Sequence, residues 1–300
     1  MKYNDFTNQV YARVKEGLKD SGEDVRVELG DAKVVNRSGV TLSVIKGSVG
    51  SVFYLSDMEA HGESVDSAVE FVLQSCFPTG ETAESIQQIK ESLFDIDFVK
   101  EHVIPVLVNT KKNQKSLESM VSREIFDLSL IYKIAVSQGN EDTRYSVAVT
   151  KALASTLNLS EKDLWESAWA NVELSDAPIC EVLRKMGVEN PEFEMTTMRV
   201  LSVEGGCSGA IAMLVDSVLQ NVSLEYGTNL FIIPSSIHEV LAIPCGNQNA
   251  EVSEIRRMIH DVNDSVVSPE DILSYSAYWY DRFEHTLHCK GYEPIDLRNL

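Results

Sequence analysis

The chain has 300 residues, of which 44% are hydrophobic and 24% charged, a globular composition that excludes a disordered chain and a collagen-like fibre. Its 46 acidic and 26 basic residues give a net charge of −20, and such a charge repels nucleic acid and anionic lipid. We therefore expect neither direct nucleic-acid binding nor membrane binding.

The first residues and the cysteines indicate a cellular compartment. Residues 1–6 contain no apolar core of signal-peptide length, and no apolar run reaches the roughly 18 residues that would cross a bilayer. The cysteines are odd in number and form no C-x-x-C pair, which argues against a disulfide framework and a zinc ribbon. We therefore predict a cytoplasmic protein with free thiols at Cys76, Cys180, Cys207, Cys245 and Cys289.

The first hundred residues predict helices around a small sheet. Apolar residues at every fourth position from Phe6 to Leu18 indicate a helix. Apolar and polar residues alternate over 25–29 and 40–44, which predicts two strands, and residues 52–55 are a third candidate. Two further helices are predicted, one capped by Ser64 and one carrying Ile86, Ile89 and Leu93.

The middle of the chain predicts a hairpin followed by helices. Val103 to Val108 reads as an extended segment in which Pro105 indicates a sheet edge or a bulge. Residues 126–136 and 145–149 are apolar and partly β-branched, which is typical of paired strands. The sequence Ser160-Glu161-Lys162-Asp163 has the form of a capping box at the start of a helix.

The last third alternates strands and helices. A helix is predicted to begin near Asp176-Ala177-Pro178, and the polar stretch from Val188 to Thr197 is a candidate boundary. The predicted elements that follow are strand 198–203, turn 204–206, helix 207–224, strands 230–233 and 237–243, a helix carrying residues 252–262, a short helix at 268–271, and a hairpin formed by 274–280 and 286–289.

These elements predict an α+β fold rather than a doubly wound parallel sheet. Hairpins are more evident than crossovers, which favours mixed or antiparallel sheets with flanking helices in two subdomains. We divide the chain into an N-terminal helix-strand-helix region at 1–100, a middle hairpin with helices at 101–187, and a C-terminal α/β unit at 188–300.

One glycine-rich turn is a candidate site, at Gly205-Gly206-Cys207-Ser208-Gly209-Ala210. Free amides and glycines between a strand and a helix can bind a ligand, which makes Gly205, Gly206 and Gly209 candidate binding residues. The turn also approximates a nucleophile elbow, with Ser208 or Cys207 as nucleophile and His238 as base. The alternative is a structural turn whose glycines supply unusual backbone dihedrals.

A second polar turn, Pro234-Ser235-Ser236-Ile237-His238-Glu239-Val240, lies between two apolar strands. Its polar residues could bind a ligand, and Glu239 could orient the imidazole of His238 for catalysis. In the alternative interpretation the serines close the turn and backbone groups satisfy the histidine. The candidate binding residues here are Ser235, Ser236, His238 and Glu239.

A third cluster contains His285, His288 and Cys289. On a strand, His285 and Cys289 would lie on one face and His288 on the other, and no fourth ligand is evident. We therefore predict no metal site and no cofactor. The aromatic residues of 275–283 lack the basic surroundings of a nucleic-acid platform and indicate core or subunit contacts, so oligomerisation remains open.

Residues 230–240, LFIIPSSIHEV, carry a resemblance to an uncharacterised bacterial family, a domain of unknown function. The resemblance includes Gly209-Ala210, residues 109–113, residues 126–132 and the tyrosine-rich segment 275–281. It implies a bacterial protein and brings no activity, substrate or cofactor. In that family the position of Cys207 is not typically cysteine, which weighs against a catalytic thiolate there.

The sequence therefore predicts a non-enzymatic acidic protein that binds a macromolecular partner with a basic surface. One version is an inhibitor or nucleic-acid mimic of the anti-defence type. The alternative is a hydrolase that uses Ser208 or Cys207 with His238 and Glu239. A third hypothesis is a ligand-sensing module with a pocket at the turn 235–239.

Overall fold

The computed structural model describes residues 4–19, 25–31, 35–37, 39–46, 49–77, 88–137, 144–185, 187, 197–206, 208–234, 236–245, 248–265 and 267–300. The chain divides into two compact units, Met1–Glu91 and Ser92–Leu300. The second unit contains the predicted middle region and the C-terminal region. All strand pairs among the described residues are antiparallel.

In the first unit, helices α1 and α3 share a core with an antiparallel sheet of order β1-β2-β3. Val10 and Val14 of α1, Leu42 of β2 and Val72 of α3 are fully buried, so the predicted periodicities mark the core. The elements are α1 (Asp5–Gly17), β1 (Val25–Asp31), β2 (Val40–Lys46), β3 (Val49–Tyr54), α2 (Leu55–Ala60) and α3 (Val65–Ser75).

Side-chain caps set the starts of the first-unit helices. The Asn4 side chain accepts the Thr7 amide at the start of α1, and the Ser64 hydroxyl accepts the Ser67 amide at the start of α3. Each bond satisfies an amide that has no partner within the helix. The predicted capping role of Ser64 is confirmed.

The second unit contains a four-stranded sheet built around its longest strand, β6. Strand β4 runs along one side of β6, while β5 and β7 pair with its first and second halves on the other side. Among the described residues β4 pairs with β6 alone, so Pro105 occupies an edge, as predicted. The bounds are β4 (Val103–Asn109), β5 (Ser122–Ile125), β6 (Leu128–Ser137) and β7 (Arg144–Ala148).

The second unit also contains a seven-stranded sheet of order β14-β13-β12-β10-β11-β9-β8 among the described residues. The central strand β10 is buried along its whole length. The predicted hairpin near the end of the chain is confirmed as β12 and β13. The bounds are β8 (Leu174–Pro178), β9 (Arg199–Val203), β10 (Leu230–Ile233), β11 (Val240–Pro244), β12 (Tyr278–Asp281), β13 (Thr286–Cys289) and β14 (Ile295–Asp296).

Helices flank both sheets of the second unit. The predicted capping box is present, because the Ser160 hydroxyl accepts the Asp163 amide while the Asp163 carboxylate accepts the Ser160 amide. The helices are α4 (Ile96–His102), α5 (Thr110–Leu117), α6 (Lys151–Thr156), α7 (Glu161–Ala170), α8 (Ile179–Lys185), α9 (Asp216–Tyr226) and α10 (Gln248–Ser265), with 3-10 helices at Gly209–Leu214 and Leu297–Asn299.

The single helix predicted at 207–224 is wrong. The described part of that segment forms the 3-10 helix Gly209–Leu214 and then α9, separated by the extended residue Val215. Every residue of the 3-10 helix is buried, and it contacts β9 and β11 of one sheet and β4 of the other. A segment surrounded by protein is shaped by the space between the sheets rather than by its own periodicity.

Two smaller expectations also differ from the structure. Residues 268–271 form a turn, in which the Asp271 amide donates to the Ser268 carbonyl, and not a short helix. Strand β11 begins at Val240 rather than at Ile237, because Ile237 donates its amide to Asp271 instead of joining the sheet. The turn 236–239 is thereby fixed against 268–271.

Several predicted features lie outside the described residues. These are Cys207, Ser235, Ile86, the loop 138–142 and most of the boundary 188–197.

Among the described residues, none of the helices combines the length and apolarity needed to cross a membrane. The predicted α+β class, with antiparallel sheets and flanking helices, is confirmed.

Candidate functional site

The two candidate turns meet at the end of β9. Ser208 adopts a left-handed conformation, with φ 60° and ψ 27°, and Gly206 also has a positive φ of 67°. Gly209 packs so closely on its neighbours that a Cβ there would lie 2.5 Å from the His238 carbonyl oxygen and 2.6 Å from the Val203 amide nitrogen. This glycine therefore permits the close approach of the two turns.

His238 links the turns through its ring. The Ser208 amide donates to His238 Nδ1 at 3.3 Å, and His238 Nε2 lies 3.4 Å from Asp271 Oδ1. The His238 backbone amide donates to the Ser236 hydroxyl, and its carbonyl accepts from the Ser202 hydroxyl. Because Nδ1 accepts a bond, the proton of the neutral ring lies on Nε2, towards Asp271.

This arrangement bears on the hydrolase hypothesis. Ser208 and His238 are neighbours, but their contact involves the Ser208 amide rather than its hydroxyl. The one basic lone pair of the neutral ring is used by that amide, so in this geometry the ring stabilises the turn instead of accepting a hydroxyl proton. The carboxylate beside the ring belongs to Asp271 and not to Glu239. Cys207 lies outside the described residues.

A cleft of about 350 Å³ opens beside these turns. One wall is the face of the four-stranded sheet that carries Ile104, Lys133, Ala135 and Ser146, which are neighbours in the strand register. The other lining residues come from the segment after α7, from the end of β9 and from the two turns. These residues are Asn171, Val172, Glu173, Val203, Glu204, Ser208, Ile237 and His238.

Lys133 is the unusual residue of this cleft. It is half-buried on β6, and burial lowers its pKa below the usual 10.5. Its ammonium group makes no ion pair or hydrogen bond with any residue in the described part of the chain. An ammonium that is partly withdrawn from water without a partner is costly, so Lys133 is a group that a bound anion would satisfy.

The first unit holds another cavity, of about 590 Å³, whose charged groups are paired. Arg37 forms an ion pair with Asp57 at 2.6 Å and lies 3.7 Å above the ring of Tyr54. Glu63 accepts a bond from Ser67. Each charged side chain among the described residues that line this cavity therefore has a partner, whereas Lys133 in the cleft has none.

The cluster His285, His288 and Cys289 is divided among different partners. His285 Nδ1 lies 2.9 Å from Asp216 Oδ2, while His288 Nε2 bonds Thr286 and the ring packs on Trp279. Cys289 is buried, and burial raises its pKa to about 11. No grouping of three metal-binding side chains occurs in the described part of the chain.

The sequence analysis missed Lys133, Asn171 and Asp271. A lysine within the otherwise apolar strand 128–136 is a local signal of an unusual environment, because lysine is rarely buried without a partner. Asn171 and Asp271 carry no such signal, since they follow a helix and a proline turn that look ordinary in sequence.

Comparison with known proteins gives a family and no activity. A model for a family of unknown function, DUF5688, matches residues 3–282. No curated protein matches the chain, and no solved structure does.

Proposed function

Because the chain belongs to the family DUF5688, for which no function is known, we propose from the geometry alone that it binds a small ligand in the cleft of its second unit. The observation that carries the proposal is the unpartnered Lys133 in the wall of a cavity of about 350 Å³. Cavities of roughly this size hold small molecules and fix them with a few placed polar groups. The protein acts here by binding, without a catalytic step.

Other wall residues support ligand binding. Apolar surface comes from Ile104, Val172 and Ile237, while Ser208 and His238 add polar residues to the lining that contains Lys133. His238 and Asp271 fix the turn 236–239. A site held by hydrogen-bonded turns on a sheet scaffold binds with less loss of conformational entropy.

Filling the cleft tests this proposal. The unchanged protein is first screened by thermal shift against metabolite-sized acids, amines, sugars and nucleosides. We expect Ala135→Phe to abolish the response to every compound that stabilises the unchanged protein, because the phenyl ring occupies the volume of the cleft. Ala152→Phe, at an exposed position of α6, is the matched control and should keep the response. If no compound stabilises the unchanged protein, or if Ala135→Phe responds equally, the proposal fails.

A second candidate is binding of a macromolecule with a basic surface, including inhibition by charge mimicry. It is favoured by the net charge of −20 and by a group of exposed carboxylates on α2, on α3 and in the connection between them, which we call the acidic patch. Such a patch accelerates association with a basic partner and makes it salt-dependent. The acidic patch consists of Glu59, Glu63, Asp66 and Glu70.

Salt-dependent capture tests this second candidate. We expect the immobilised chain to retain a partner from bacterial lysate at low salt and to lose it at high salt. Replacing the three glutamates of the acidic patch by glutamine should weaken retention about tenfold, because several complementary charges are removed. The same change at Glu101, Glu118 and Glu254, all exposed, is the control. Recovery of no partner at either salt contradicts this candidate.

A further inference from the structure

The lining of the cleft contains one positive group and two negative groups. Lys133 is half-buried on β6, whereas Glu173 and Glu204, which also line the cleft, are exposed residues next to β8 and β9. No ion pair joins Lys133 to either carboxylate within the described part of the chain. The opposite charges of the lining therefore do not neutralise one another by direct contact.

Glu173 and Glu204 are held next to each other by the backbone. The Glu204 amide donates to the Glu173 carbonyl at 2.8 Å, which continues the pairing of β8 with β9 beyond Leu174 and Val203. Residues directly opposite in an antiparallel pair project to the same face, and like charges there repel each other. A positive group between the two carboxylates would relieve that repulsion.

Neutral polar groups also belong to the lining of the cleft. The Asn171 side-chain amide donates to the carbonyls of Lys100 and Val103, so its Oδ1 is available as an acceptor on a residue that lines the cleft. The hydroxyls of Ser146 and Ser208 also belong to cleft-lining residues. A ligand with one anionic and one cationic end therefore meets complementary groups at both ends.

We infer that the ligand of this cleft is a small zwitterion of the amino-acid class, with its carboxylate bound by Lys133 and its ammonium bound between Glu173 and Glu204. This inference rests on the proposed ligand-binding function and names its ligand class. A simple anion would be repelled by the two carboxylates, and a simple cation would be repelled by Lys133. A zwitterion can pair with the ammonium of Lys133 and with the two carboxylates at the same time.

This inference is tested by measuring whether the individual L-amino acids bind to the full chain, by thermal shift and by isothermal titration calorimetry. We expect at least one amino acid to bind, and its amide and its N-acetyl derivative to bind at least tenfold more weakly, since each lacks one charged end. Lys133→Met and Glu173→Gln/Glu204→Gln should each weaken binding by at least tenfold. Lys115→Met, at an exposed position of α5, should leave the affinity unchanged.

The outcomes separate this inference from the proposed function. One outcome is that a neutral or singly charged compound binds, that Ala135→Phe abolishes this binding, and that no amino acid binds. The cleft is then a ligand site, and the zwitterion assignment is overturned. If no compound of any class binds, both proposals fail. Should Lys133→Met not fold, the comparison of each amino acid with its amide and N-acetyl derivative still decides the assignment.

Discussion

We expect Gly209→Ala to be among the most destabilising single substitutions in the second unit. The new Cβ would lie 2.5 Å from the His238 carbonyl oxygen and 2.6 Å from the Val203 amide nitrogen, and would also contact Ser202 Oγ. Backbone atoms of a strand and a fixed turn cannot move aside easily, so we expect a loss of about 3 kcal/mol or more. The loss in the free energy of unfolding is measured by chemical denaturation monitored by circular dichroism.

Gly206→Ala provides the control for this prediction. Gly206 lies three residues earlier, has a positive φ of 67° and has no atom within 4 Å of the added Cβ. An alanine at this position causes backbone strain but no steric clash, so the free energy of unfolding should fall by about 1–2 kcal/mol. Equal losses for the two variants would mean that Gly209 acts through backbone dihedrals and not through the close approach of the two turns.

Much of the fold was predictable because burial follows the local pattern. The repeat from Phe6 to Leu18 became the core face of α1, and the alternation in 25–29 and 40–44 became paired strands. The Ser160 capping box was predictable because all its hydrogen bonds join residues within four positions. Local signals of this kind need no information about the rest of the chain.

The segment after β9 could not be predicted, because its structure depends on distant residues. The 3-10 helix Gly209–Leu214 is buried on all sides, and α9 begins at Asp216. The Asp216 carboxylate accepts bonds from Tyr280 and His285, which lie more than sixty residues away in sequence. A helical pattern in this stretch therefore says little about where the helix breaks.

The candidate site was partly predictable for the same reason. Both turns were recognised from glycine, serine and proline, and the structure places Ser208 beside His238. The cleft itself needs the second sheet, which contributes Lys133 from a strand that precedes these turns by more than seventy residues. Pattern analysis of one segment cannot identify the residues that distant strands contribute to a cavity.

We also expect Asp127→Ala to destabilise the second unit strongly. The Asp127 carboxylate accepts hydrogen bonds from the hydroxyls of Ser274 at 2.6 Å, Ser276 at 3.1 Å and Tyr278 at 2.5 Å. Ser274 and Tyr278 are fully buried, so the variant leaves buried hydroxyls without an acceptor. Each such loss costs about 1–3 kcal/mol, and we expect about 3 kcal/mol in total by chemical denaturation.

Two further variants test whether the Asp127 carboxylate stabilises the fold as the acceptor of several hydroxyls or through one hydrogen bond alone. Tyr278→Phe removes one donor and should lower the free energy of unfolding by about 1 kcal/mol. Asp127→Asn keeps one oxygen acceptor, so its loss of stability should lie between those of Tyr278→Phe and Asp127→Ala. A loss for Asp127→Ala no larger than that for Tyr278→Phe would show that the serine hydroxyls find other partners.

The pH dependence of stability gives an independent test of this cluster. Burial, and then the negative charge of Asp127, raise the pKa of Tyr278 well above 10.0. Above pH 10 the unfolded chain releases the tyrosine proton while the folded chain retains it, so the stability provided by the neutral tyrosine is lost as pH rises. The unchanged protein should therefore lose more stability than Tyr278→Phe between pH 9 and about 11. Parallel curves for the two proteins would mean that Tyr278 ionises as easily in the folded chain as in the unfolded one.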